Sequence, residues 1–162
     1  MTGIAIAPRI EGVGGVTIDP EGRISATGVS PGSFQRNPAL LATNSLAPVL
    51  FWSAPFTVLE AGDVFINMDA ISFMANADGA ATIMGVIFTC DVDGNPLPDA
   101  GVQELSIAVG SVNTWTTQVV LQSVAPGLAV GPHMLNIFMF VLDANCTAQT
   151  AAGEASVRIT RI

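Results

Sequence analysis

GPHMLNIFMFVLDAN, residues Gly131 to Asn145, decides the reading of this chain. Between Met134 and Leu142 eight of nine residues are apolar, and the ninth is Asn136. The run is far short of the about 20 apolar residues that a membrane-crossing helix needs, and Gly131-Pro132 and Asp143 close its two ends. As a strand it divides into two rows, because successive side chains point to opposite faces. Leu135, Ile137, Met139 and Val141 form one row; Met134, Asn136, Phe138, Phe140 and Leu142 form the other. A strand on the surface of a domain alternates apolar with polar. Here both rows are apolar. One row should fill a sandwich core. The Phe-bearing row then either meets two neighbouring subunits at a threefold axis or lies under a second sheet of the same chain.

The same two-sided pattern recurs to either side. Ala80 to Val92 sets Met84, Val86, Phe88 and Cys90 against Ile83 and Ile87. Val64 to Ala75 carries Ile66, Met68 and Ala70 on one face, and its phase change near Ile71 and Phe73 predicts a bulge. Val49 to Trp52 and Phe56 to Leu59 read as short strands around Pro55. Val102 to Val109, Thr114 to Val124, His133 to Asp143 and Ala155 to Ile162 read as further strands. Turn residues separate them at Glu60-Ala61-Gly62-Asp63, Asn76-Ala77-Asp78-Gly79 and Asp93-Gly94-Asn95-Pro96. No window has convincing helical periodicity. About eight antiparallel strands with such punctuation predict an all-β jelly-roll sandwich over residues 47–162.

Residues 1–46 have a different composition, rich in Gly, Pro, Ser, Thr and Asn. Within them GVTIDPEGRISATG reads as a hairpin, with Val16 to Ile18 and Arg23 to Ser25 flanking a type I turn at Asp19-Pro20-Glu21-Gly22. SPGSFQRNPALLATNSLAP follows as an extended linker with one turn of helix at Ala39 to Thr43. The whole segment is expected to be an N-terminal attachment arm and linker.

Composition narrows the function classes. Half of the 162 residues are hydrophobic and only 11% are charged, against roughly a quarter in an average domain. Surface buried between subunits would account for so little charge. Thirteen acids face five bases, all Arg, for a net charge of -8. No basic patch can be assembled to neutralise phosphates, so nucleic acid is excluded as a partner, and anionic membranes would be repelled. The N-terminus has neither the basic n-region nor the apolar h-region of a signal peptide.

The residues able to carry chemistry are few. His133, the one histidine, follows Gly131-Pro132 at a strand start and has no Gly-x-Ser-x-Gly elbow to serve, so it reads as structural. Asp91, Asp93 and Asn95 space like oxygen ligands. Gly94 between them and Val102 at the twelfth position break the calcium-loop pattern, and a turn is the plainer reading. Cys90 and Cys146 belong to no CxxC pair and with one His make no zinc site. Trp52 and Trp115 are either core or interface anchors, or platforms for a glycan ring. The expectation is a protein that is not an enzyme, with no catalytic set, cofactor or metal.

Four segments resemble bacteriophage virion proteins. GVTIDPEGRISATG is similar to the N-terminal hairpin-like segments of phage fibres and spikes. VDGNPLPDAG, SVAPGLAVGPHMLNIFMFVL and ASVRITRI are similar to the heads of fibre, spike and capsid-decoration proteins, through Val92-Asp93-Gly94, then Gly131, His133 and Leu135, then Val157-Arg158-Ile159. Such heads carry a Thr after the His, where this chain has Met134. The resemblance implies a homotrimer of TNF/C1q-like jelly rolls, made in the host cytoplasm and placed on the virion surface. The N-terminal arm would dock on the major capsid or another virion protein. On this reading Phe138, Phe140, Leu142, Ile83 and Ile87 form the trimer interface. A receptor-binding head for host polysaccharide, with Trp52 or Trp115 in contact, and an extracellular carbohydrate-binding module are the alternatives.

Overall fold

The strand built from the central run pairs on both sides from Leu135 to Met139. A computed structural model describes residues 33–162, together with strand backbone at 10–11, 16–18 and 24–26. In chain order the strands are β1 (Ile10–Glu11), β2 (Val16–Ile18), β3 (Ile24–Ala26), β4 (Ser33–Arg36), β5 (Leu41–Thr43), β6 (Val49–Val58), β7 (Gly62–Asn76), β8 (Ile83–Val92), β9 (Asn95–Ser106), β10 (Asn113–Leu128), β11 (Gly131–Val141), β12 (Thr147–Thr150) and β13 (Ala155–Arg161). The protein is all-β among the described residues, and its sandwich is a jelly roll of two antiparallel sheets. One sheet runs β6-β11-β8-β9. The other is centred on β7. β10 lies along one side of it, while β13 and then β12 share the other side and carry β4 and β5 outside them. β2 and β3 pair antiparallel as the expected hairpin, and β1 joins them; the turn at 19–22 lies outside the described residues.

The core lies between the two sheets. Leu135, Ile137, Met139 and Val141 all point into it, flanked by Val92, Cys90, Phe88 and Val86 of β8, and they share it with Ile66 and Met68 of β7. Each such side chain contributes about 1.5–3 kcal/mol through burial. Along one flank β9 crosses β10. There Gly101 is required: a Cβ would stand 2.7 Å from the Val120 carbonyl oxygen. Ser123 Oγ donates to Asp99 Oδ2 across the same crossing at 2.8 Å. On the opposite flank the Gln35 side chain donates to the Pro55 carbonyl and ties β4 to β6.

Four expectations are corrected. First, β7 has no bulge near Ile71 and Phe73; its register with β10 is unbroken from Asn76 to Val64. Ser72 and Asn76 point inward, and Ile71 (46% exposed) and Phe73 (42%) point out. A bulge there would break the ladder with β10. The inward polar groups are instead satisfied. Ser72 Oγ and Thr150 Oγ1 lie 2.8 Å apart, Asn76 Nδ2 donates to Ser111 O at 2.8 Å, and Asn76 Oδ1 accepts from Ala81 N at 3.2 Å. Second, β6 runs straight through Pro55, because an edge strand loses no ladder bond at a proline whose nitrogen faces outward. Third, the turn of helix at Ala39 to Thr43 is strand β5 instead, recruited by pairing with β12. Fourth, β4 and β12 are additional strands. Pairing within the sandwich thus starts at Ser33, and the sheet takes in part of the stretch read as an arm.

Candidate interaction surfaces

In antiparallel pairs, directly opposed residues share a face. The register therefore assembles the outer face of the β6-β11-β8-β9 sheet line by line. Leu50, Phe138, Thr89 and Ala100 form one line, and Phe140, Ile87 and Val102 the next. Leu142 lies over Gly85, which has no side chain to obstruct it, and Ile83 completes the face. Leu50 is 52% exposed and Val102 44%; Phe138, Phe140, Leu142, Ile83 and Ile87 are partly exposed. All five residues expected at a subunit interface thus share one partly exposed apolar face. Leu50 and Val102 extend this face and were not singled out in the sequence; only the register reveals their neighbours.

The face has one polar rim and one recess. Asn136, the lone polar residue of the run, accepts from Ser53 Oγ at 2.8 Å and donates to Asp91 Oδ1 at 2.8 Å. Beside it the register of β8 with β9 shifts between Thr89 and Asp91. There a largely apolar cleft of about 330 Å³ opens between Phe138, Leu97, Pro96 and Pro48.

The remaining candidates fall elsewhere. Trp52 is 6% exposed and belongs to the core, so it offers no open face to a sugar; Trp115 packs against the core from β10. Cys90 and Cys146 are free and buried. Burial, reinforced by Asp91 and Asp99, pushes the Cys90 thiol up to about 12, which keeps it protonated and unreactive. Asp91 Oδ1 also accepts from Gly94 N at 3.0 Å, so it braces the hairpin turn at Asp93-Gly94. Both turn residues have positive φ, 54° and 80°, as a two-residue hairpin of this hand demands. No group of three metal-ligating residues occurs among the described residues, and no helix long and apolar enough to cross a membrane occurs among them.

His133 is fastened at both ring nitrogens. Nδ1 lies 2.6 Å from Asp93 Oδ2 and Nε2 lies 2.8 Å from Ala129 O. The ring stacks on Phe56 with centroids 5.5 Å apart, and Asp93 Oδ1 accepts from Met134 N at 2.8 Å. Two oxygen acceptors require two N–H donors, so the geometry fits the imidazolium. The Asp93 bond chiefly, then the Ala129 carbonyl, raises the His133 pKa, while the His133 bond first and the Met134 amide next lower that of Asp93. With neither nitrogen directed at a hydroxyl or thiol, the pair clamps the β8–β9 turn to the start of β11 and activates no nucleophile.

No protein-family model matches the chain, and no curated protein matches it. Among solved structures it is similar to Eiger TNF from S. frugiperda, at 8% identity and a TM-score of 0.48, over 82% of this chain and 94% of that one. It is also similar to a CocE/NonD family hydrolase from Staphylococcus aureus, at 10% identity and a TM-score of 0.42, over 79% of this chain and 34% of the hydrolase.

Proposed function

We propose that this chain is a non-catalytic structural protein that works as a homotrimer, its subunits meeting through the outer face of the β6-β11-β8-β9 sheet. The observation that carries the reading is the continuous apolar face of Leu50, Phe138, Phe140, Ile87 and Val102. A chain with 11% charge gains most from enclosing such a face between copies. Threefold symmetry rests on the resemblance to phage fibre and spike heads. So do the virion surface as the location, a capsid-decoration or head-spike role, and an N-terminal arm that holds the major capsid or another virion protein. Light scattering on the eluted protein tests the assembly. A trimer is expected at micromolar concentration, and Phe140→Asp or Phe138→Asp should yield folded monomer, since a buried unpaired charge is strongly unfavourable. A clean monomer from the wild-type chain overturns the reading.

A second reading, recognition of a host surface polysaccharide, is favoured by a different observation. The outer face of the β7 sheet mixes amides, carboxylates and guanidinium groups with exposed Ile71, Phe73, Val120 and Val124, whereas the opposite face is almost wholly apolar.

A further inference from the structure

Along β7 the outward side chains are Phe65, Asn67, Asp69, Ile71 and Phe73. Gln118 Nε2 donates to Asp69 Oδ1 at 3.1 Å and Gln122 Nε2 to Asn67 Oδ1 at 3.2 Å. Beside this ladder a cavity of about 310 Å³ opens between β7, β4, β10 and the turn that leads into β13. Arg36, Asp69, Gln118, Glu154 and Ser156 supply its polar lining, and Ile71 its exposed apolar part. The ion pairs among the described residues are His133–Asp93 and Arg161–Glu60. The Arg36 guanidinium and the carboxylates of Asp69 and Glu154 therefore surround one cavity without pairing with each other. Arg36 instead sits 6.0 Å above the Phe34 ring.

The chemistry of this lining selects a ligand class. A guanidinium only donates, carboxylates only accept, and an amide does both. Together they match hydroxyl groups, each of which needs a donor and an acceptor. The apolar part matches the C–H face of a sugar ring, and Phe73 continues the same line of β7 as a platform for an adjoining ring. An anion would face two carboxylates against one guanidinium, and a bare cation would meet Arg36. The volume is at the low end of ligand sites, about 300–1,000 Å³, and suits a single ring. We propose that this cavity binds one sugar residue of a neutral glycan. The proposal rests on the polysaccharide reading and is independent of the trimer, which uses the opposite sheet.

Saturation-transfer NMR on the full chain tests it, with glucose, galactose, mannose and their neutral oligosaccharides as probes and glucuronate as the anionic comparison. Transfer from at least one neutral sugar is expected, with glucuronate weaker. Asp69→Ala and Gln118→Ala should each weaken binding about tenfold or more while leaving melting and assembly unchanged. Should Asp69→Ala fail to fold, Gln118→Ala and Glu154→Gln, both at exposed positions, carry the test. Phe140→Asp should abolish assembly and keep sugar binding. Transfer that persists unchanged in the cavity variants overturns this site and leaves the polysaccharide reading standing. Absence of transfer from every neutral sugar at millimolar concentration overturns both.

Discussion

His133 shows what one residue contributes when both its nitrogens are fixed. Its folded pKa is raised above the ordinary 6.5, so its stabilisation is fully present below that value and is lost as pH rises through the higher folded one. Asp93 works in the other direction. Its folded pKa is lowered below 3.8, so its stabilisation is present above that value and is lost as pH falls through the lower folded one. The clamp is therefore strongest between about 3.8 and 6.5. The Asp93 side chain is 43% exposed, which limits the effect to about 1 kcal/mol, or about 2–4 °C in melting temperature. Melting at pH 6 and pH 9 should show a fall of that size in the wild-type chain and none in His133→Gln. An equal fall in the variant would remove His133 from the account. The sequence marked His133 as structural, but its partner lies 40 residues away at a hairpin tip. That pairing could be seen only once β8 and β11 were in register.

At the scale of elements, β7 carries the sharpest prediction. Asn76→Ala would leave Ala81 N without its side-chain partner, while Ser111 O would keep only the Asn113 Nδ2 donor at 3.3 Å. An orphaned buried group costs about 1–3 kcal/mol, so chemical denaturation should register a loss of about 1–3 kcal/mol. Ile71→Thr, on the outward row, should stay within about 0.5 kcal/mol of wild type; a core-sized loss there would contradict the phase of the strand. The sequence shows β8 and β11 plainly, because their apolar rows and turn residues are local signals. It hides β4, β5 and β12, whose short polar stretches become strands only through pairing. It also misleads on Ile71 and Phe73, since apolarity alone places them inside, while satisfied Ser72 and Asn76 take the inner positions. The Phe-bearing face was legible as a row. Its neighbours Leu50 and Val102, and the cavity beside Asp69, come from three or more distant segments.

At the scale of the whole molecule, the start of pairing at Ser33 makes two deletions distinguishable. Removing residues 1–32 should keep the melting temperature of the sandwich within a few degrees. It should also abolish attachment to particles lacking the protein, as seen by electron microscopy, if the arm reading holds. Removing residues 1–46 takes away β4, β5 and the buried Asn37, whose side chain bonds Ala39 O, Ala151 O and Ala155 N. A loss of about 3 kcal/mol or more is expected, on the order of 10 °C, measured by the same melts. The partners of β7 have a consequence for biosynthesis. β7 is among the earlier strands of the sandwich to be translated, yet it pairs only with residues 113–128, 147–150 and 155–161. A nascent chain must therefore hold β7 unpaired until β10 has emerged, and its other side open until β12 and β13 have followed. Such long-range pairing slows folding, and chaperone holdases have their longest opportunity to bind in that interval.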